Sequence, residues 1–378
     1  MKYLDLPIAD SHIHLDWNMP LSERIELLKK IIEKNNYDTV TVCPVPFVHD
    51  RITFCRDFTV NLCAMYAKCA IPGKVYSFAG LSHHCDESLN TKEFYLEQVE
   101  YYMQAGYDGI KMLEGRTGEH NAYGCGIDDS KYDLFYKYCE DNEIVIVSHI
   151  GGPEGAWHEG GRLYGTHPDL NDLYKEVDNV LTKFPKLKLV LAHFYFITEH
   201  IDKAADVLDK WENVYFDLTP NQFMYLDFQK QPKEWKKFFE KYQDRIMYGT
   251  DIGSRCVLAD NAENALNEDE CLARMDLIDG LFDENTNRIM REDGRYLINT
   301  DDFVQKGFSL SEEALNKIYW ENFESYVGEK PARVNPKLII KECKRINTTL
   351  KIMSFIDKST KPDMSVTKDA IAFFNKTK

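Results

Sequence analysis

Residues 144–149 read IVIVSH: four β-branched apolar residues that run directly into a serine and a histidine. An unbroken apolar run of this length fits a strand covered on both faces, as in a parallel sheet, and its polar end marks where the strand emerges. The same design recurs on either side. PIADSHI (7–13), TVTVCPV (39–45), VYSFAGL (75–81) and DGIKML (108–113) precede it, and KLVLAH (188–193), NVYFDL (213–218) and RIMYGT (245–250) follow. Segments of helical period lie between them, among them 21–35, 91–105, 130–142, 169–184 and 233–242, with Ser22 placed to cap the first. Eight strands alternating with helices predict parallel βαβ units closed on themselves. No Gly-x-Gly-x-x-Gly follows the first strand to favour an open, doubly wound sheet instead. The fold expected is α/β, a distorted (β/α)8 TIM barrel with a C-terminal helical extension.

The spacing loosens after 250. Residues 252–310 are acidic and irregular (DNAENALNEDE, DENTNRIMREDGRY) and read as an insertion over the barrel mouth, followed by a helix at 311–327. The expected division is a barrel over 1–330 that contains this insertion, and a Lys-rich helical extension over 331–378 that wraps the outside or mediates assembly.

Composition narrows the partners. With 46 basic and 62 acidic residues the net charge is −16, which speaks against nucleic acid and anionic membrane surfaces. No run of about eighteen apolar residues predicts a membrane span. The N-terminus MKYLDLPIADSHIHLD lacks the apolar core of a signal peptide. The ten cysteines are scattered without a Cys-x-x-Cys pair, as expected for reduced thiols. A cytoplasmic protein acting on a small molecule, as a monomer or a homodimer, is the expectation.

Chemistry concentrates at the strand ends. In Asp10-Ser11-His12-Ile13-His14 the two histidines stand two apart in a strand, so both imidazoles face one cavity, a good arrangement for zinc or a similar ion. His-x-His alone is a weak signal. It is strengthened by Lys111 on the fourth strand, His149 ending the fifth, His193 ending the sixth and Asp251 after the eighth. Active sites of such barrels sit at the C-terminal ends of the strands, so these side chains would converge on one mouth. Read singly, His149 and His193 could be satisfied core histidines and Asp251 a helix cap. Asp217 reads as structural or as support for a neighbouring ligand. Asp10 reads as the partner of a metal-bound histidine or as a loop contact.

ADSHIH, GIKM, VSHIGG, FPKLKLVLAHF, NVYFDLTP and IMYGTDIG, in that order, resemble the amidohydrolase superfamily, in its amidohydrolase-related branch of metal-dependent hydrolases and decarboxylases. The likeness runs over about residues 7–327, with EALNKIYWENFESYVG at the position of the family's closing helix. It implies that His12, His14, His149 and Asp251 bind one divalent metal, with His193 beside it as acid–base or electrostatic catalyst. Zinc is expected first, and manganese, cobalt or iron suit the same donors. Some members carry a carboxylated lysine on strand four that bridges two metals; Lys111 is read instead as an unmodified, substrate-contacting residue, with a structural ion pair, for instance to Glu114, as the other alternative.

Specificity is expected from the loops. The glycine-rich stretch 151–165 (GGPEGAWHEGGRLYG) offers Trp157 and Arg162, and Arg255 follows Asp251 closely; all three are candidate contacts for a carboxylated or cyclic substrate. His83 and His84 could line the rim. The activity expected is hydrolysis of a small lactone, ester or amide through a metal-activated water, with Asp251 and His193 catalytic. The alternatives are non-oxidative decarboxylation of an aromatic or unsaturated acid, and a barrel that binds a ligand without turning it over.

Overall fold

The computed structural model of the chain describes residues 6–15, 21–35, 37–45, 51–84, 86–221, 223–253, 268–283, 287–290, 303–356, 358 and 364–376. Eight parallel strands stand in sequence order: β1 (Ile8–Ile13), β2 (Tyr37–Val42), β3 (Val75–Gly80), β4 (Gly109–Met112), β5 (Val145–Ser148), β6 (Leu189–Leu191), β7 (Val214–Asp217) and β8 (Ile246–Met247). Seven of the eight runs identified in the sequence contain one of them whole, and β2 begins two residues before its run at 39–45. The circle closes between the chain beyond β8 and the end of β1. There the Ser11 amide donates to the Tyr248 carbonyl at 3.0 Å, the Asp251 amide to His12 at 2.9 Å and the His14 amide to Ile252 at 2.7 Å.

Two apolar layers follow from the alternation of each strand. Ala9, Tyr76, Phe78, Val145, Val147, Val190 and Met247 fill the barrel, while Ile8, Val75, Ile146, Leu189, Leu191, Val214 and Phe216 pack outward on the helices. The helix that begins at Glu312, passes through a π segment (Lys317–Glu321) and ends at Val327 plugs one end. Its Phe323 and Tyr326 join the inner cluster. Asn322 donates to the carbonyls of Gln243 (2.6 Å) and Ile246 (2.7 Å) at the start of β8, which places the plug at the N-terminal ends of the strands. The opposite end carries the polar side chains.

Several details differ from the sequence reading. The first helix, Leu21–Lys34, already includes Ser22 in its first turn, because buried Leu21 is helical; Ser22 is no cap. The stretch expected to be irregular holds a 15-residue helix, Glu268–Phe282, and an antiparallel pair, Asn287–Met290 with Phe303–Lys306. Cys271, Leu277, Ile278, Leu281 and Phe282 bury the helix's apolar face, a signal that the surrounding acidic residues diluted. Beyond the barrel, helices Pro336–Ile356 and Ser365–Lys376 pack together and against the helix Arg51–Ala70. No helix among the described residues is long and apolar enough to cross a membrane, and the described cysteines are free thiols.

Candidate metal centre

The C-terminal strand ends bring His12, His14 and Asp251 together, with one ligating atom of each within 4.8 Å of the others. Their rings and carboxylate are buried. His12 is held from behind: its Nδ1 lies 2.9 Å from Oδ2 of Asp217 at the end of β7. Asp217 is ionised despite full burial, because the hydrogen bonds from His12 and the Thr219 hydroxyl hold its carboxyl below the usual range. Nδ1 of His12 is therefore the donor, and Nε2 turns its lone pair into the mouth. Burial and the Lys111 charge push the His12 pKa down to about 3, so the ring is neutral. His14 is oriented in the same way by its Nδ1–H on the Cys43 carbonyl, which leaves Nε2 3.0 Å from Asp251 Oδ1.

Asp251 has a left-handed backbone, φ +55°. A non-glycine residue there is strained, and the strain persists where the surroundings dictate it. Gly253, at φ +84°, lies so close to His14 that a Cβ would collide with the His14 carbonyl. The chain beyond β8 thus folds tightly over the end of β1, and this brings the aspartate to the histidines. Burial alone would raise the Asp251 pKa. The contact with His14 and the Arg274 charge outweigh it and hold the carboxyl well below its ordinary value.

His193 reaches the site by an unusual route. Val190 and Ala192 face inward and Leu189 and Leu191 outward, so simple alternation would send the next side chain outward. Instead His193, Phe194, Tyr195 and Phe196 all take positive φ, 51–59°, in a single left-handed turn. The His193 ring then lies 5.7 Å from that of His12 and 4.6 Å from that of His149. Each left-handed residue costs about 1–2 kcal/mol. The turn is secured by its hydrogen bonds. The His193 amide donates to Asp217 Oδ1 at 2.7 Å, Asn221 Nδ2 to the His193 carbonyl at 3.1 Å, and the Tyr174 hydroxyl to the Tyr195 carbonyl at 3.3 Å. His193 Nδ1 faces the Thr219 carbonyl at 3.2 Å and is the donor there, so Nε2 is left as a proton acceptor. Burial lowers the His193 pKa.

His149 packs edge-on against His193 and lies 5.1 Å from the Phe196 ring; it stands beside the trio rather than within the 4.8 Å group. Burial, with the charges of Arg116 and Lys111, holds its pKa well below normal, so it too is a neutral imidazole. Lys111 points inward between the outward-facing Ile110 and Met112 and places Nζ 2.8 Å from His12 Nε2. Burial lowers its pKa against the pull of Cys43, Asp217 and Asp251.

Glu114 does not pair with Lys111 as the sequence suggested. Its side chain turns to His83, with Oε1 2.8 Å from Nε2, and accepts the Leu113 amide. His83 also bonds the Tyr95 hydroxyl at 2.7 Å and stacks on Tyr123, which makes it a satisfied core histidine, while His84 is half-buried. Trp157 and Arg162 lie over Gly152, three residues past His149; the Trp157 indole donates to the Pro168 carbonyl at 3.3 Å, and Arg162 is exposed. Arg255 lies outside the described residues. Asp10 is a strut: its carboxylate accepts from the amides of His12 and Thr250 and the hydroxyls of Thr250 and Tyr37, tying β1 to β2 and to the chain beyond β8.

One residue was missed altogether. Arg274, on the helix Glu268–Phe282 and 1% exposed, donates Nη1–H to Asp251 Oδ2 at 3.3 Å and to the Thr250 carbonyl at 3.0 Å. It sits inside the stretch read as irregular, and only the Glu270/Arg274 spacing of i,i+4 hints at it.

The donor set suits a divalent ion: imidazoles with their far nitrogens tied to acceptors, and a carboxylate kept ionised. Three solved structures share the architecture. An uncharacterized TIM-barrel protein of Bordetella bronchiseptica is 14% identical with a TM-score of 0.56, covering 86% of this chain and 99% of that one. 4-Oxalomesaconate hydratase of Rhodopseudomonas palustris is 13% identical with a TM-score of 0.54, covering 93% and 99%. A 2,6-dihydroxybenzoate decarboxylase in complex with 2,6-dihydroxybenzoate is 13% identical with a TM-score of 0.53, covering 85% and 99%. At such identities they establish the fold alone. No protein of curated function matches the chain. The amidohydrolase family model matches residues 96–322, more than half of the sequence, and the chain belongs to that family of TIM-barrel enzymes.

Proposed function

We propose that the protein is a metal-dependent hydrolase of a small carboxylated carbonyl compound, a lactone, ester or amide. The observation that carries this reading is the gathering of His12, His14 and Asp251 within 4.8 Å, with the neutral ring of His193 adjacent. His12, His14 and Asp251 would hold the ion, with His149 as a further ligand. Bound there, a divalent ion lowers the pKa of water from about 16 to about 7 and polarises a carbonyl. Asp251 Oδ1 orients the attacking water, and His193 Nε2 takes its proton and returns it to the leaving atom. Lys111 binds the anionic end of the substrate as an unmodified side chain, and Trp157, Arg162 and Arg255 contribute from the loops. One ion per chain, zinc by preference, completes the site.

A second reading, decarboxylation of an aromatic or unsaturated acid, is favoured by the contact of Arg274 with Asp251. A carboxylate held so far below its usual range is a weak base, which leaves hydrolysis to His193 alone. Decarboxylation needs only that a proton replace the departing carbon dioxide on carbon.

Turnover of lactones and aromatic carboxylic acids by the zinc- or manganese-loaded protein, in ¹⁸O-labelled water and separately in deuterium oxide, separates the two. The expected result is ¹⁸O in a new product carboxylate without carbon dioxide. Carbon-bound deuterium with evolved carbon dioxide overturns hydrolysis in favour of the second reading.

A further inference from the structure

The helix Glu268–Phe282 is the first described helix after β8 and places one side chain at the chemical centre of the barrel. Arg274 and Glu270 are 1% and 0% exposed. The Arg274 Nε–H donates to Glu270 Oε1 at 2.9 Å, and Nη1 bridges the Thr250 carbonyl and Asp251 Oδ2 at 3.0 and 3.3 Å. The guanidinium thus grips both the peptide preceding Asp251 and the carboxylate oxygen that turns away from His14. The other oxygen, Oδ1, is left 3.0 Å from His14 Nε2. A buried guanidinium near a cation site would repel the ion if it stood alone. Glu270 neutralises it, so the Arg274–Glu270 pair orients Asp251 without opposing a positive ligand.

We propose that Arg274 is a positioning residue for the metal centre, committing Asp251 Oδ2 to itself and presenting Oδ1 beside His14, so that docking of the helix Glu268–Phe282 and occupation of the site support one another. This rests on the metal-centre reading above and is independent of which reaction the centre performs. Linkage makes the coupling reciprocal: a docked helix tightens the ion, and the ion protects the helix. The planar fork of arginine serves three acceptors at once, which a lysine ammonium in the same place reproduces in part.

The test measures binding of Zn²⁺ alone by chelator competition, the visible spectrum of the Co²⁺ form, and amide exchange over residues 268–282 with and without Zn²⁺. The variants are Arg274→Lys and the double variant Arg274→Met/Glu270→Leu, which removes the buried pair as a unit and leaves no orphaned charge. In the double variant Zn²⁺ affinity should fall about 10–100-fold, the range for outer partners of metal ligands. The Co²⁺ bands should shift, and Zn²⁺ should no longer slow exchange in the helix as it does in the wild type. Arg274→Lys should recover part of the affinity. A folded double variant with wild-type affinity and an unchanged Co²⁺ spectrum overturns the proposal. If the double variant does not fold, Arg274→Lys decides: intermediate affinity supports the proposal, and wild-type affinity with an unchanged spectrum overturns it. A wild-type protein that binds no divalent ion removes the metal-centre reading itself, and this inference with it.

Discussion

His193 and His12 show how one residue type is given two kinds of work by what stands behind the ring. His12 has its Nδ1–H locked on an ionised aspartate, which makes Nε2 a stronger donor to a cation. His193 has its Nδ1 on a backbone carbonyl, a neutral acceptor that stabilises less charge on the ring, and stands one ring further out. The two should separate by mutation. His193→Asn should keep its ion and lose about 10²-fold or more in turnover, as when an acid–base group is removed. His12→Ala combined with His14→Ala should abolish stoichiometric metal, and His149→Asn should lose metal and turnover together. Elemental analysis beside initial rates reads all three. Full metal in His149→Asn would place that ring with His193 rather than with the ligands.

At the scale of elements, backbone strain is kept where it aims a side chain and can be relieved where it does not. The left-handed turn His193–Phe196 reverses the inside–outside alternation of β6, and its four residues are buried and hydrogen-bonded. Glu143, with φ +53°, is the contrasting case. It follows the helix Asp133–Asp141, where glycine ordinarily provides the left-handed exit. Its side chain is 80% exposed and makes only a 3.6 Å contact with Lys188, an ion pair of little worth in solvent. Glu143→Gly should therefore raise stability by about 0.5–1 kcal/mol, the left-handed penalty less the added freedom of the unfolded glycine. Denaturant titration reads this directly, and a loss of stability would mean that the Lys188 contact matters more than the backbone.

For the whole molecule, short apolar, β-branched runs located the eight barrel strands, because a strand buried on both faces has little sequence freedom, but not the antiparallel pair Asn287–Met290 and Phe303–Lys306. The same runs put His12, His14, Lys111 and His149 at strand ends; the inward direction of Lys111 and His149 follows from alternation, whereas β1 turns His12 and His14 to the mouth through a register irregularity between Asp10 and Ile13. Alternation could not explain the direction of His193, which depends on a left-handed turn that no local preference of His-Phe-Tyr-Phe announces. Nor could it find Arg274, whose partner Asp251 is 23 residues away and joined to it through a helix diluted by acidic flanks. Contacts made across sequence by closing the barrel, such as Asp217 on His12, were legible only as possibilities. Burying this polar set has a consequence for the fold as a whole. His12, His149 and His193 have pKa values lowered in the folded state, His12 to about 3 from an unfolded value of 6.5. The unfolded chain therefore binds more protons below pH 6.5, and stability falls as pH drops toward 4, on the order of 1 kcal/mol per pH unit for His12, with His149 and His193 acting in the same direction. Asp10 works the other way. Its folded pKa is raised to about 7 from 3.8 by burial, so between those values the folded state holds the extra proton and gains stability as pH falls. Asp10 thus offsets part of the loss. In the presence of chelator, urea titrations at pH 7, 6 and 5 should show stability decreasing step by step, steepest below pH 6. Stability that is flat or rising over that range would mean that the buried imidazoles are already charged, and with that the donor set would no longer suit a cation.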